Sequence, residues 1–196
     1  MNQHIKLATR IGSVLLLMLA AGVASGQNNT DQGLWAALEA GGNVVLMRHA
    51  IAPGGGDPPG FRLEDCSTQR NLSEEGRAQA RSTGESFRSR GAPVDRVLTS
   101  QWCRCRETAE LLQLAAVEEY PVLNSFFSDR STADSQTEAL RRFIGDLKLR
   151  GNVLMVTHQV NITALTGVFP ASGEMVILQP DEQGGFRLIG RLRPDA

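Results

Sequence analysis

The sequence predicts an α/β protein, a three-layer αβα sandwich around a mostly parallel central sheet. Three observations carry that reading. Two runs, Val44-Val45-Leu46-Met47 and Val153-Leu154-Met155-Val156, are apolar at every position, as strands buried on both faces of a parallel sheet are. Segments with helical character alternate with the strand candidates, the order that makes crossovers to parallel strands. No internal repeat or low-complexity linker divides residues 27–196, which read as one domain.

The elements follow in order. Asp31 can cap a short helix over 32–40, which Gly41-Gly42 breaks. Asn43 to Met47 is a buried strand. A loop from Ala50 to Asn71, rich in Gly and Pro, follows it, and loops of that length in a compact domain are usually functional. Ser73 to Arg90 is a charged helix, Pro93 to Thr99 a strand, and Trp102 to Leu114 a helix. Val117 to Leu123 is a third strand interrupted by Pro121. Ser135 to Leu149 is an amphipathic helix with Leu140, Phe143, Ile144 and Leu147 on one stripe. Asn152 to Thr157 is the fourth strand, and Ile162 to Gly167 begins a short helix. Strands over 174–179 and 186–192, joined by a turn through Asp181 to Gly185, close the chain.

The first 26 residues are set apart. Lys6 and Arg10 precede an apolar stretch from Ile11 to Ala24, and small residues follow, the layout of a secretory signal peptide. The stretch is short against the ~20 residues of a bilayer span, so no stable membrane span is expected after its removal. The expected location is therefore periplasmic or secreted. With 41% hydrophobic and 21% charged residues and a net charge of −1, the chain is globular and lacks the basic footprint of a nucleic-acid partner. An oxidising compartment permits a disulfide among Cys66, Cys103 and Cys105. Cys66 can pair with Cys103 or with Cys105. Cys103 with Cys105 is disfavoured, because residues two apart on a helix point in different directions. The cysteine spacing and the scarcity of histidine argue against a metal site.

Beyond residue 26 the chain has two histidines, His49 and His158, and each directly follows one of the buried strands. The carboxyl ends of strands in an open α/β sheet face the ligand crevice, so both can reach one pocket. Arg48 stands beside His49, and Arg104 and Arg106 open the helix after the second strand, where amide groups and a guanidinium fork favour an anion. Two imidazoles with arginines form a dianion pocket, and phosphate is its natural ligand.

These residues resemble a family. Leu46-Met47-Arg48-His49-Ala50 is similar to the Arg-His-Gly signature of the histidine phosphatase (phosphoglycerate mutase-like, branch 1) superfamily. Ser100 to Ala109, with Arg104, resembles its Ser-x-x-x-Arg-Ala-x-x-Thr-Ala motif. Arg70 to Ala80 and Val156-Thr157-His158-Gln159 resemble two further segments, and all four fall in family order. The resemblance implies a phosphoglycerate mutase-like fold and a cofactor-free phosphatase for a phosphorylated small molecule. His49 is then the nucleophile that becomes phosphohistidine, and Arg48, Arg104 and His158 hold the equatorial oxygens. Arg70, Asn71 and Gln159, within the matching segments, are candidates for substrate contacts.

The chain departs from the pattern in two places. Ala50 replaces the usual glycine. Where the family carries a glutamate acid after the third strand, this chain reads Asn124-Ser125, and Asp129, Asp65 and Asp57 are the substitutes within reach. General acid catalysis is worth roughly 10²–10⁴-fold, so a chain without it favours leaving groups that need no proton, such as the imidazole of phosphohistidine. The domain length resembles small phosphohistidine phosphatases. The export signal and the cysteine near Arg70 look more like exported phosphatases of lipopolysaccharide-core heptose, and that reading is preferred. The alternative is a catalytically weak phosphate-binding protein.

Overall fold

The structure, a computed structural model, describes Met1 and residues 21–193. The expected signal peptide therefore falls mainly outside the described residues. Five helices, α1 (Ala21–Ala40), α2 (Glu74–Arg90), α3 (Cys103–Leu112), α4 (Ala133–Asp146) and α5 (Gln159–Thr166), surround strands β1 (Val44–Arg48), β2 (Val94–Thr99), β3 (Val117–Glu119), β4 (Asn152–Thr157), β5 (Met175–Pro180) and β6 (Phe186–Leu192). No helix among the described residues is long and apolar enough to cross a membrane.

The six strands form one sheet in the order β3-β2-β4-β1-β5-β6. The first four run parallel, and β5 and β6 join antiparallel at the other edge. Period-two alternation divides the core. Val45, Met47, Leu154 and Val156 face Leu34, Trp35, Leu38, Phe87 and Leu112, while Val44, Leu46, Val153 and Met155 face Leu140, Ile144, Ile162 and Leu165. Both runs that read as apolar throughout are thus buried between two helical layers.

Two expectations are corrected. The first helix, described from Ala21 to Ala40, is already formed before residue 32, and Asp31 lies inside it rather than capping it; no proline interrupts 21–40. The third strand ends at Glu119, because Pro121 opens a 3-10 turn over Pro121–Leu123 and supplies no amide to extend the ladder.

Helix α2 positions the loop that leaves β1. Ser73 caps it by accepting from the Gly76 amide at 3.1 Å, and Gly91 closes it at φ 66°. Gly76 and Gly84 lie on one face, two turns apart. A Cβ at Gly76 would overlap the Ile51 carbonyl, and one at Gly84 would overlap the Leu112 carbonyl at the end of α3. Backbone therefore packs directly on helix here, and the segment after His49 is held from below.

Chain order makes the site. The chain leaves β1 and enters β2, yet β4 lies between them, which creates a topological switch point at the carboxyl ends of β1 and β4. In that parallel pair Arg48 is opposite Thr157, so the next residues, His49 and His158, emerge side by side. Replacing Gly84 with alanine should lower stability by about 1–3 kcal/mol from overpacking, more than the ~1 kcal/mol that alanine gains in a helix. Urea unfolding measures it, and an unchanged midpoint would show that α2 and α3 can separate without cost.

Candidate active site

Each histidine is oriented by backbone or side-chain partners. The His49 amide donates to Thr157 O at 3.0 Å, and the Gly173 amide donates to the carbonyls of Arg48 and His49, 3.2 Å each. Nδ1 of His49 lies 2.8 Å from Ala50 O. A carbonyl only accepts, so the proton is assigned to Nδ1, and Nε2 keeps the lone pair. For His158 the logic reverses. Nδ1 faces Nη2 of Arg104 at 3.5 Å, and a guanidinium only donates. The proton therefore belongs on Nε2, which meets Ser100 Oγ at 2.8 Å. Ser100 in turn donates to Oδ1 of Asn124 at 3.3 Å, and that amide is fixed by the backbone N–H of Gln101 at 2.9 Å. The two rings stand 5.7 Å apart, centroid to centroid, at 67°.

Three arginines converge on them. Arg104, in the first turn of α3, makes a two-pronged pair with Asp57, at 2.7 and 3.2 Å. Both side chains are buried, 3% and 8% exposed. Arg48 donates to Pro170 O at 3.0 Å. Arg70 donates to Gly56 O at 2.7 Å and to Ala52 O, which pins the glycine-rich loop. The Nε–H groups of Arg48 and Arg104 are buried without a partner in the protein. Unmet buried donors are costly, and an oxyanion between these arginines would give both an acceptor.

This crowding keeps the imidazoles neutral. Burial first, then the charge of Arg104, pushes His49 down to about 3, against the weaker opposing hydrogen bond to Ala50. Burial and Arg104 likewise hold His158 well below the ordinary histidine range, with His49, Arg70 and Arg48 adding to the effect. Burial would raise the Asp57 carboxyl, but the Arg104 hydrogen bonds and charge, helped by Trp102 and the Arg70 amide, hold it below the usual carboxylate range.

A cavity of about 320 Å³ brings together Arg48, His49, Arg70, Arg104, His158 and Gln159, with the 54–57 loop, Phe61, Trp102, Phe127 and Ser125 as walls. Asn71 is not on the lining: its amide donates to Cys66 O at 2.6 Å and to Gln69 O, and it holds the loop. None of the three aspartates fits an acid role. Asp57 is the ionised brace of Arg104. Asp65 is off the cavity, paired to Arg62 and accepting from Ser67. Asp129 is on the lining, but it caps a 3-10 turn by accepting from Ser131 N at 2.9 Å, and that bond holds its carboxyl below the usual range. The disulfide joins Cys66 to Cys103. Cys105 stays a buried thiol beside His158, and burial pushes it up to about 12. No cluster among the described residues could hold a metal ion.

Asp57 as a brace, Ser100 and Gln79 are site residues that sequence reasoning missed. Gln79 accepts from Ile51 N at 3.2 Å and donates to Ser172 O at 3.1 Å, which ties the loop after His49 to the turn that holds Arg48. The only hint was its place in the Arg70–Ala80 run.

Fold and site together define a phosphoric monoester hydrolase of the histidine type. The family model described as Histidine phosphatase superfamily (branch 1) matches residues 44–126. Among solved structures, the chain is similar to the protein histidine phosphatase SixA complexed with tungstate, with TM-score 0.58 and 18% identity over 78% of this chain and 97% of that one. It is also similar to a mycobacterial glucosyl-3-phosphoglycerate phosphatase, with TM-score 0.57 and 16% identity over 79% and 99%. A phosphoserine phosphatase mutant from Entamoeba histolytica in complex with phosphoserine follows, with TM-score 0.52 and 11% identity over 76% and 95%. No curated protein sequence matches the chain. The matched segment carries Arg48, His49, Arg70 and Arg104.

Two outcomes follow for stability. His49 and His158 are neutral when folded but gain protons in the unfolded chain below about pH 6.5. Their contribution is complete above that pH and is lost as pH falls from 6.5 toward 3. Urea midpoints at pH 7, 6 and 5 should fall steadily, with a shallower fall in His49→Gln; equal slopes would contradict the assignment. Asp57→Ala leaves Arg104 buried and unpaired and should cost about 3–5 kcal/mol, with Asp57→Asn losing less. A loss under 1 kcal/mol would remove Asp57 as the brace.

Proposed function

We propose that this protein hydrolyses phosphomonoesters in two steps through a phosphohistidine on His49. The observation that carries the reading is an imidazole held neutral, with Nδ1–H committed to Ala50 O, so that Nε2 is a free nucleophile among cationic side chains. Nε2 attacks phosphorus as the leaving oxygen departs in line. The Ala50 carbonyl stabilises the positive charge that spreads to Nδ1. Arg48 and Arg104 stabilise the equatorial oxygens with preset charge, and their unpaired Nε–H groups are available for that task. Bound dianion also favours a proton on Nδ1 of His158, because negative charge then replaces the isolation that keeps the ring neutral. Water attacks phosphohistidine in the second step and returns His49.

We infer further that the protein works outside the cytoplasm. The Cys66–Cys103 disulfide supports that location together with the leader-like N-terminal sequence. There a phosphosugar such as lipopolysaccharide-core heptose phosphate is the preferred substrate. A second reading, hydrolysis of phosphohistidine, is favoured by one observation: every candidate acid is held ionised, and imidazole leaves without one.

Purified protein should hydrolyse p-nitrophenyl phosphate, whose leaving group needs little protonation. His49→Ala should reduce the rate by at least about a thousandfold while phosphate still binds. Phosphate or vanadate binding without turnover in the unaltered protein would replace the enzyme by a phosphate-binding protein.

A further inference from the structure

A second groove opens from the active-site cavity beside α5. It encloses about 410 Å³ and shares Phe127, Gln159 and Val160 with the first cavity, so the two are continuous. From there it runs past Ala164 to Phe169 and Arg130. Phe127 is 61% exposed and Phe169 is 71% exposed. Single exposed apolar residues are ordinary. Two phenylalanines on one groove that leads out of a polar site are not scattered surface; they mark a place where apolar surface is covered by something else. Arg130 makes no side-chain hydrogen bond or ion pair among the described residues. Its neighbour Asp129 is committed to the Ser131 amide.

We propose that this groove holds the leaving-group side of the substrate, and that the substrate is an extended phosphomonoester: a ring with an apolar face lies against Phe127 and Phe169, and a second anionic group pairs with Arg130. The inference rests on the phosphatase reading, which fixes the phosphoryl group beside His49 and leaves the rest of the molecule to exit along the continuous groove. The phenylalanines select a flat apolar face, which an aromatic ring or the C–H face of a sugar ring can present. The unpaired guanidinium selects charge of the opposite sign. A phosphate on a small polar carrier would touch neither.

Calorimetric titration tests it with non-hydrolysable or unreacted ligands, using His49→Ala as the background for any ligand that turns over. The ligands are inorganic phosphate, 6-carboxy-2-naphthylphosphonate and glucose 1,6-bisphosphate. The naphthyl compound, the sugar bisphosphate or both should bind about tenfold more tightly than phosphate. Phe169→Ala and Arg130→Gln, both surface changes, should each remove most of that advantage and leave phosphate affinity unaltered. A response confined to the naphthyl compound assigns an aromatic ring, and one from the bisphosphate assigns a sugar. Equal affinities for the extended ligands and phosphate, or variants that change neither, overturn the groove. Acetyl phosphate hydrolysis by the same wild-type preparation reports the catalytic reading separately: turnover without groove binding sinks only the groove, and groove binding without turnover sinks only the hydrolysis.

Discussion

Three guanidiniums, Arg48, Arg70 and Arg104, share one cavity with two imidazoles, and Asp57 is the buried carboxylate that balances them. That excess of positive charge governs the rest. Together with burial, which is the larger cause, it depresses both histidines, so that the nucleophile needs no base to stay deprotonated. It leaves two guanidinium Nε–H donors unmatched by the protein. It also gives a dianion a binding energy that an uncharged ligand could not obtain. The arrangement is costly to assemble, since like charges must be packed together before any ligand arrives, and much of the local structure serves to hold it.

The holding is done from several directions. Register between β1 and β4 sets the two histidines side by side. The Asp57 loop is fixed by Arg70 to the carbonyls of Ala52 and Gly56 and by the Cys66–Cys103 disulfide to the start of α3, next to Arg104. Gln79 joins the segment after His49 to the 170–173 turn, whose Pro170 carbonyl receives Arg48. The loop and α3 therefore act as one unit around Arg104. General acid chemistry is missing from that unit, and of the two proposed substrates phosphohistidine is the one whose leaving group such a site can release unaided.

The layered fold was legible because the two all-apolar runs are what burial on both faces requires, and the catalytic pair was legible because each run ends in a histidine. Packing and long-range pairing were not. Asp57 reads from sequence as one candidate acid among three: there it is one aspartate in a Gly-Pro loop, and only the fold brings it to Arg104, 47 residues away. The disulfide partner stayed open between Cys103 and Cys105, which differ only in the direction each takes from α3; Cys103 meets Cys66 while Cys105 enters the core. Pro121 was visible, but whether it merely interrupts a strand or ends it depends on the edge position of β3.

Rapid acid-free quenching of the enzyme during turnover of a ³²P-labelled phosphomonoester, followed by peptide mapping, tests the central claim most directly. The account predicts base-stable, acid-labile label on the peptide that carries His49. Label on any other residue, or turnover with no labelled protein at the shortest times, would contradict it.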